Sequence, residues 1–380
     1  MNIVIAGDYC PNNRLKGAEI QEINPISDEI VALLAEADFG IVNLECPIAT
    51  NSQKQILKQG PNLCCSAESV SYLKKKGFSA VSMANNHILD YGENGLSQTI
   101  EIVNSVGLDY VGAGDPQDTK RESLIIEKNG IRVAFINCCE NEFSVTSFQE
   151  PGANPLDPVL QYNQIKKAKE TANFVVVIVH GGIEHFPHPT PRMKEVYHFF
   201  IDAGADAVIN HHQHCYCGFE TYRNKPVFYG LGNFCFDWDG KRNMIWNEGY
   251  LVELSLKERE MGFNIIPYTQ CNETPMITIM NDAQRKVFDA KMDNLNRVLS
   301  NEQELVRTLN EYMDQTESDY LLALEPYSSR VGVGLYRRGL LPSFITPKRI
   351  LRLYDYIFCE SHRDRMTYLL KKKYKHLDDE

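Results

Sequence analysis

The stretch that decides the fold runs from residue 173 to residue 214. It reads "NFVVVIVHGG" (173–182), then "TPRMKEVYHFFIDAG" (190–204) and "ADAVINHHQH" (205–214). The first and last segments carry the continuous apolar runs of buried strands. The middle segment has proline in its first turn and glycine at its end, which is typical of a helix. This order of strand, helix and strand predicts a parallel α/β unit.

The same alternation continues over roughly the first 270 residues. Further strands are predicted at "NIVIAG" (2–7), "FGIVNLE" (39–45) and "FSAVSMANNH" (78–87). Helices that begin at a capping serine are predicted at "SDEIVALLAEAD" (27–38) and "SAESVSYLKKKG" (66–77). "LIIEKNGIRVAFINCC" predicts a hairpin with an Asn-Gly turn. Beyond about residue 275 the pattern is helical without a strand signal, so we predict an α/β domain over 1–275 and an all-helical C-terminal extension over 276–380.

Composition narrows the classes of partner and compartment. A net charge of −11 leaves no basic excess to neutralise phosphates, so no nucleic-acid partner is expected. The eleven cysteines show no C-x-x-C pair, and several lie in apolar runs, as expected for free thiols in a reducing compartment. The start "MNIVIAGDYC" lacks the features of a signal peptide, and no long apolar window occurs. We therefore expect a cytoplasmic protein without a transmembrane segment, and the sequence leaves its oligomeric state open.

Polar side chains follow five of the predicted strands at the point where each strand ends. The clusters are Asp8, Glu45, the run Asn85, Asn86 and His87, then His180, and finally His211, His212 and His214. The carboxyl ends of strands in an α/β sheet meet at one edge, so we expect these clusters to converge. Seven of the ten histidines fall within residues 180–214, which makes chance clustering a weak explanation. A mixed set of carboxylate, amide and imidazole donors suits divalent Mn, Fe or Zn.

The chain resembles a known family in several motifs that occur in the same order. They include "GDYCPNNR" (7–14), "NLECPI" (43–48), "SMANNHILDYGENGL" (82–96), "HGGIEHFPHPTP" (180–191) and the long block 202–238. These motifs resemble the poly-γ-glutamate capsule biosynthesis proteins of the CapA type, which are similar to calcineurin-like metallophosphoesterases. The resemblance covers roughly residues 1 to 270. It implies a four-layer α/β/β/α sandwich with two divalent metal ions at the strand ends.

The resemblance also implies roles for individual residues. The implied metal ligands are Asp8, Glu45, Asn86, His180, His212 and His214, with Glu45 where the superfamily has a bridging aspartate. Asp8 and His87 are the implied catalytic residues, and His87 is expected to act as a general acid or to stabilise the transition state. An extended strand would point His212 and His214 to one side and His211 away. A tight turn after Asn210 would instead pair His211 with His214. We favour the first arrangement, because it matches the H-x-H spacing of the superfamily's last motif.

The sequence departs from the family pattern at several positions. Cys10 stands where the first motif has histidine, so one imidazole ligand is missing or supplied elsewhere. Position 45 has glutamate instead of aspartate, and His211 stands where the last motif has glycine. Gly181 stands where the capsule family has tryptophan. These departures leave metal identity and catalytic competence open.

The expected activity is a metal-dependent hydrolase whose favoured substrate is an anionic phosphate ester, although the same site could hydrolyse an amide. Candidate substrate contacts are Arg14, Asn85, Glu184 and His211. One alternative is an accessory protein in the synthesis or export of an anionic capsule polymer such as poly-γ-glutamate. Another is a structural protein that keeps a decayed site. Residues 347–375 hold nine Lys and Arg against three Asp and Glu, which indicates either a solvated helix face or a membrane or polymer contact.

Overall fold

The computed structural model describes residues 1–17, 19–50, 53–146, 149–258 and 260–378. Its strands, in chain order, are β1 (Asn2–Tyr9), β2 (Phe39–Leu44), β3 (Ala80–Ser82), β4 (Asp109–Val111), β5 (Ala113–Gly114), β6 (Leu124–Lys128), β7 (Ile131–Cys139), β8 (Gly152–Ala153), β9 (Phe174–His180), β10 (Ala207–His211), β11 (Phe219–Tyr222), β12 (Lys225–Phe228), β13 (Asn233–Cys235), β14 (Glu248–Lys257), β15 (Glu260–Gln270) and β16 (Ile277–Ile279). Its α-helices are α1 (Glu19–Ile23), α2 (Asp28–Glu36), α3 (Ala67–Lys75), α4 (Gly92–Ser105), α5 (Thr119–Glu122), α6 (Pro158–Lys169), α7 (Pro191–Ala203), α8 (Asp282–Leu299), α9 (Glu302–Leu322), α10 (Arg330–Arg337), α11 (Pro347–Phe358) and α12 (Glu360–Asp378). Within the described residues, no helix combines the length and the apolar character needed to cross a bilayer.

The strands form two large mixed sheets. The first has the order β16-β15-β14-β1-β2-β3-β4, with β13 also pairing with β1, and the second has the order β11-β12-β10-β9-β7-β6. The predicted unit of β9, α7 and β10 is confirmed. The side chain of Thr190 caps α7, Gly204 ends it with a φ of 122°, and β10 lies parallel to β9 with His211 opposite His180.

The two sheets face each other, and helices cover their outer faces. Alternate residues of β1 show the division, because Ile3 and Ile5 pack between the sheets while Val4 packs outward against the layer that contains α2, α3 and α4. On β9, Val176 packs between the sheets and Val177 packs outward with α6 and α7. Apolar residues therefore occupy both faces of these central strands, as expected where each sheet is covered on both sides. The predicted four-layer α/β/β/α sandwich is confirmed, and it brings β1, β2, β9 and β10 to the middle of the molecule.

The chain divides into two compact units, Met1–Val306 and Arg307–Glu380. This division lies later than the boundary predicted at residue 275. The reason is that α8 belongs to the first unit, where Phe288, Met292 and Leu295 are buried in the cluster between the sheets. The second unit is helical throughout its described secondary structure, as predicted for the C-terminal region.

Candidate metal centre

The predicted strand-end residues meet in one buried cluster. The side chain of Asp8 lies on β1, Glu45 directly follows β2, and His180 ends β9. Asp8, Glu45 and His180 are each no more than 2% exposed, and the other members are less than 8% exposed. The other members are Asn86, His87, His211, His212 and His214. The sequence prediction that these residues converge therefore agrees with the geometry.

Glu45 lies at the centre of the cluster and is shared by two groups of ligand atoms. It forms one group with His180 and His212 and a second group with Asp8 and His214. Within each group the ligand atoms all lie within 4.8 Å of one another. Oε1 of Glu45 is 3.5 Å from Nε2 of His180 and 3.7 Å from Nε2 of His214. One carboxylate thus stands between two imidazole-containing groups, where a bridging ligand would stand.

The buried carboxyl of Glu45 fits a cation better than it fits an empty protein interior. Neither of its oxygens has a hydrogen-bond partner among the residues that the structure describes. Burial, reinforced by the nearby charge of Asp8, raises the pKa of the Glu45 carboxyl well above its usual range. Burying a carboxylate without a partner is costly, and a bound divalent cation removes that cost. The residues present therefore fit one or two divalent metal ions such as Mn, Fe or Zn.

Asp8 differs from Glu45 because several groups compensate its charge. Its oxygens accept hydrogen bonds from Nδ2 of Asn43 (2.7 Å) and from the backbone N–H of His212 (3.2 Å). Nδ1 of His211 lies 3.3 Å away. Burial alone would raise the pKa of the Asp8 carboxyl, but the imidazoles of His211, His180 and His214 together lower it below its usual range. Asp8 is therefore an ionised ligand candidate.

The last histidine motif reaches the cluster by a turn and not by an extended strand. β10 ends at His211, and the backbone then takes left-handed conformations at His212 (φ 92°) and His214 (φ 54°). Such values are uncommon for residues other than glycine and often occur at functional sites. The extended strand expected over His212 and His214 is therefore not formed. His211 also does not point away, since its imidazole faces Asp8.

His87 is held by two residues that the sequence analysis did not identify. Its Nδ1 lies 2.7 Å from Oδ2 of Asp90, and Nζ of Lys58 lies 3.0 Å from the same nitrogen. Lys58 also forms an ion pair of 2.5 Å with Oδ1 of Asp90. A spacing of three residues between His87 and Asp90 in "NNHILD" was a usable signal, because i and i+3 positions meet in a turn. Lys58 lies in a loop, and nothing in its sequence context marked it.

Two further asparagines orient ligand candidates. Besides its bond to Asp8, Nδ2 of Asn43 lies 3.2 Å from Nδ1 of His180. Oδ1 of Asn233 lies 2.9 Å from Nδ1 of His214. Oδ1 of Asn233 is an acceptor of the kind that orients a metal-binding imidazole and holds the proton on its other ring nitrogen. Nδ2 of Asn43 is a donor, so Nδ1 of His180 accepts from it. A polar residue inside the apolar run "GIVNL" was the available signal for Asn43.

Three of the predicted substrate contacts are buried or bonded within the protein. All of the side-chain nitrogens of Arg14 are engaged in the protein, because Asp237 accepts two of their bonds and the carbonyls of Asn272 and Glu273 accept others. Asn85 is fully buried and donates to the carbonyl of Leu44. His211 is buried, and its Nδ1 lies 3.3 Å from Oδ1 of Asp8.

Glu184 differs from these three because it is exposed near the cluster. Partial desolvation would raise the pKa of its carboxyl, but the nearby imidazoles of His214, His212, His185 and His87 lower it.

Cys10 stands where the first motif departs from the family pattern, and its side chain packs in the core between β1 and the outer helices. Burial raises the pKa of the Cys10 thiol, and Cys10 belongs to neither group of ligand atoms found among the described residues.

The architecture and the cluster define an α/β protein of two facing sheets with buried candidate metal ligands at the strand ends. The chain belongs to the family described as "Bacterial capsule synthesis protein PGA_cap", whose model matches residues 2–238. It is 33% identical over 233 residues to "Capsule biosynthesis protein CapA" of Bacillus anthracis, covering 59% of this chain and 56% of that protein. It is 31% identical over 265 residues to "PGA biosynthesis protein CapA" of Bacillus subtilis (strain 168), covering 68% of this chain and 69% of that protein.

The chain therefore spans little more than half the length of the first of these relatives. Among solved structures, it is similar to a 5′-nucleotidase from Candida albicans SC5314 with a TM-score of 0.41 and 12% identity. That similarity covers 83% of this chain and 57% of the nucleotidase. A similarity of this degree supports no functional conclusion.

Proposed function

We propose that this chain is a metal-dependent hydrolase whose favoured substrate class is a phosphate ester. The observation that carries the proposal is the position of Glu45, a buried carboxyl without hydrogen-bond partners that is shared by two groups of ligand atoms. The residues proposed to hold two divalent cations are Asp8, Glu45, Asn86, His180, His212 and His214. When bound there, such cations would supply positive charge to phosphate oxygens and lower the pKa of water.

The chain's own residues would contribute proton transfer and orientation. The Asp90 carboxylate accepts the Nδ1 proton of His87, which leaves Nε2 as the nitrogen available to a substrate. As a general acid, His87 would donate a proton from Nε2 to a leaving-group oxygen. Lys58 balances the second oxygen of Asp90 and keeps this carboxylate in place. Glu184, which is exposed near the cluster, is proposed to contact the substrate.

A phosphoesterase panel tests this proposal. The chain, purified without chelator and supplied with Mn²⁺ or Zn²⁺, is assayed on aryl phosphate monoesters and diesters. We expect activity that a chelator abolishes. His87→Asn should lower kcat by about 10²- to 10⁴-fold with bound metal unchanged. Full metal occupancy without hydrolysis of any ester would contradict the proposal.

A second candidate is an accessory protein in the synthesis or export of an anionic capsule polymer. Family membership and the names of the two relatives favour it, because one is called a capsule and the other a PGA biosynthesis protein. In that case the metal site would bind glutamyl carboxylates without cutting them. The metal-loaded chain would then retain poly-γ-glutamate whose length does not change on incubation. Release of shorter fragments would instead indicate an amide hydrolase.

We further propose a reducing, cytoplasmic compartment. All eleven cysteines are free thiols, and nine of them are buried. Labelling with a thiol reagent under denaturing conditions, after extraction from the native host, should modify all of them. Protection of several cysteines from the reagent until a reductant is added would contradict this location.

A further inference from the structure

The second unit, Arg307–Glu380, presents an apolar helix face to solvent. On α11 the large apolar side chains recur at spacings that place them on one side of the helix. They are between 50% and 71% exposed, and they are Ile350, Leu351, Tyr354, Ile357 and Phe358. Contiguous exposed apolar residues of this size mark interaction sites more often than ordinary surface. We refer to these five residues as the α11 face.

The α11 face is not the side by which α11 packs within its own unit. Leu353 and Tyr356, which project from the other side of the helix, are only partly exposed. The ring of Tyr356 lies 5.7 Å from that of His362 at the start of α12. Arg349 points its guanidinium back to the carbonyls of Leu324 and Phe344. α11 therefore packs within its own unit through one side, and its apolar side is exposed to solvent.

Basic residues lie on the polar side of α11, opposite the apolar face, and on α12. Lys348 and Arg352 on α11 are exposed, and so are Arg363 and Arg365 on α12. From residue 327 to the end, the sequence has twelve Lys and Arg against six Asp and Glu. The rest of the chain has 27 against 44, so an acidic protein carries a locally basic helical end. An apolar stripe on one side of a helix with Lys and Arg on its polar side is the composition of helices that lie in the surface of a membrane.

We propose that the α11 face docks on an anionic lipid surface. The five apolar side chains would enter the boundary between headgroups and acyl chains, while Lys348 and Arg352 would lie among anionic headgroups. A second copy of this chain fits less well, because it would bring two basic surfaces together. A soluble anionic polymer fits less well also, because it would leave the apolar residues in water. This inference does not depend on the proposed hydrolase activity.

Vesicle co-sedimentation of the full chain tests the docking. The vesicles contain phosphatidylglycerol and phosphatidylcholine in equal parts, or phosphatidylcholine alone. The double variant Leu351→Glu/Phe358→Glu removes apolar area from the α11 face. The matched control is Val159→Glu/Val287→Glu, which makes the same change in charge at exposed positions of α6 and α8; Val159 and Leu351 are each 71% exposed. Thermal unfolding of both variants checks that they are folded.

We expect the wild type and the control to bind the anionic vesicles and to leave the neutral vesicles unbound. The α11 double variant should bind at least about tenfold more weakly, and added salt should weaken wild-type binding. The proposal is overturned if the wild type does not bind anionic vesicles, or if the double variant binds as the control does. It is also overturned if sedimentation equilibrium without lipid shows a dimer that only the α11 variant dissociates, because the occupant would then be a second copy.

Discussion

Oδ1 of Asn233 lies 2.9 Å from Nδ1 of His214 and determines which ring nitrogen of this histidine carries the proton. The amide cannot be reversed without loss, because its Nδ2 donates to the carbonyls of His214 and Trp246. Oδ1 is therefore the acceptor and Nδ1 of His214 the donor. The lone pair of Nε2 is left to face Glu45, 3.7 Å away. His214 is thus in the tautomer that a metal ligand needs before any metal binds.

Asn233→Ala should weaken metal binding by about 10- to 100-fold, because His214 loses the acceptor that fixes its tautomer. Titration of the metal-free protein against a chromophoric chelator measures the change. Gln164→Ala, which removes a buried amide on α6 outside the cluster, is the control and should bind metal as the wild type does. Equal metal affinity for both variants would show that Asn233 does not prepare His214.

Glu45→Gln should separate folding from metal binding. The substitution removes a buried carboxyl without partners, so the metal-free variant should unfold within about 1 kcal/mol of the wild type or be more stable. Metal at 100 times its Kd should stabilise the wild type by roughly 3 kcal/mol and should leave the variant unchanged. Thermal unfolding with and without metal measures both effects. Glu184→Gln, at an exposed position, should keep the metal-induced shift, and a full shift in Glu45→Gln would contradict a bridging role.

The metal-free protein should lose stability as the pH falls from about 6.5 towards 4. Burial lowers the pKa of His214 to about 4. The unfolded chain therefore binds more protons than the folded chain in this window, and stability must fall with the pH. The contribution of His214 is on the order of 2 to 3 kcal/mol. Glu45 acts in the opposite direction, because its raised pKa makes the folded chain bind protons above the ordinary glutamate range.

Urea unfolding near pH 7 and near pH 5 in the presence of chelator isolates the histidine effect. The stability difference between the two pH values should be smaller in His214→Gln than in the wild type. The Glu45 contribution is common to both proteins and cancels in the comparison. An identical pH dependence would mean that His214 is not held neutral by burial.

The sequence predicted the fold well where the same residues determine both the local structure and the buried surface. The apolar run of β9, the caps of α7 and the run of β10 all indicate the same parallel unit, and the register that places His211 beside His180 follows from it. It was uninformative where tertiary contacts decide. The left-handed backbone at His212 and His214 occurs where the chain turns beside Asp8, which accepts a hydrogen bond from the N–H of His212. Asp8 is 204 positions away in the sequence, so no local pattern reports this contact.

Orienting residues were hidden for the same reason. Asn233 acts on His214 across 19 positions, and Lys58 acts on His87 across 29 positions. No local periodicity reports such contacts. The place of α8 in the first unit was hidden too, because α8 has the amphipathic pattern of any surface helix. Only the packed structure shows that Phe288 lies in the cluster between the sheets.

Truncation after Val306 should leave a folded first unit, whereas truncation after Met280 should not. The shorter chain loses α8 and exposes the apolar surface that Phe288, Met292 and Leu295 cover. Removing three large buried side chains costs several kcal/mol, which is comparable to the whole stability of a domain. Soluble yield and cooperative thermal unfolding of both truncations provide the measurement. A cooperative, soluble chain that ends at Met280 would show that α8 is not part of the core.

The most direct test of the central claim is the amount of divalent metal bound per chain. We expect about two ions per wild-type chain after reconstitution and dialysis, because Glu45 is shared by two groups of ligand atoms. Glu45→Gln, His212→Ala and His214→Ala should each lose metal. His198→Ala, whose imidazole instead contacts Glu220, should keep it. Metal absent from the wild type, or retained in all of the ligand variants, would contradict a metal centre at the strand ends.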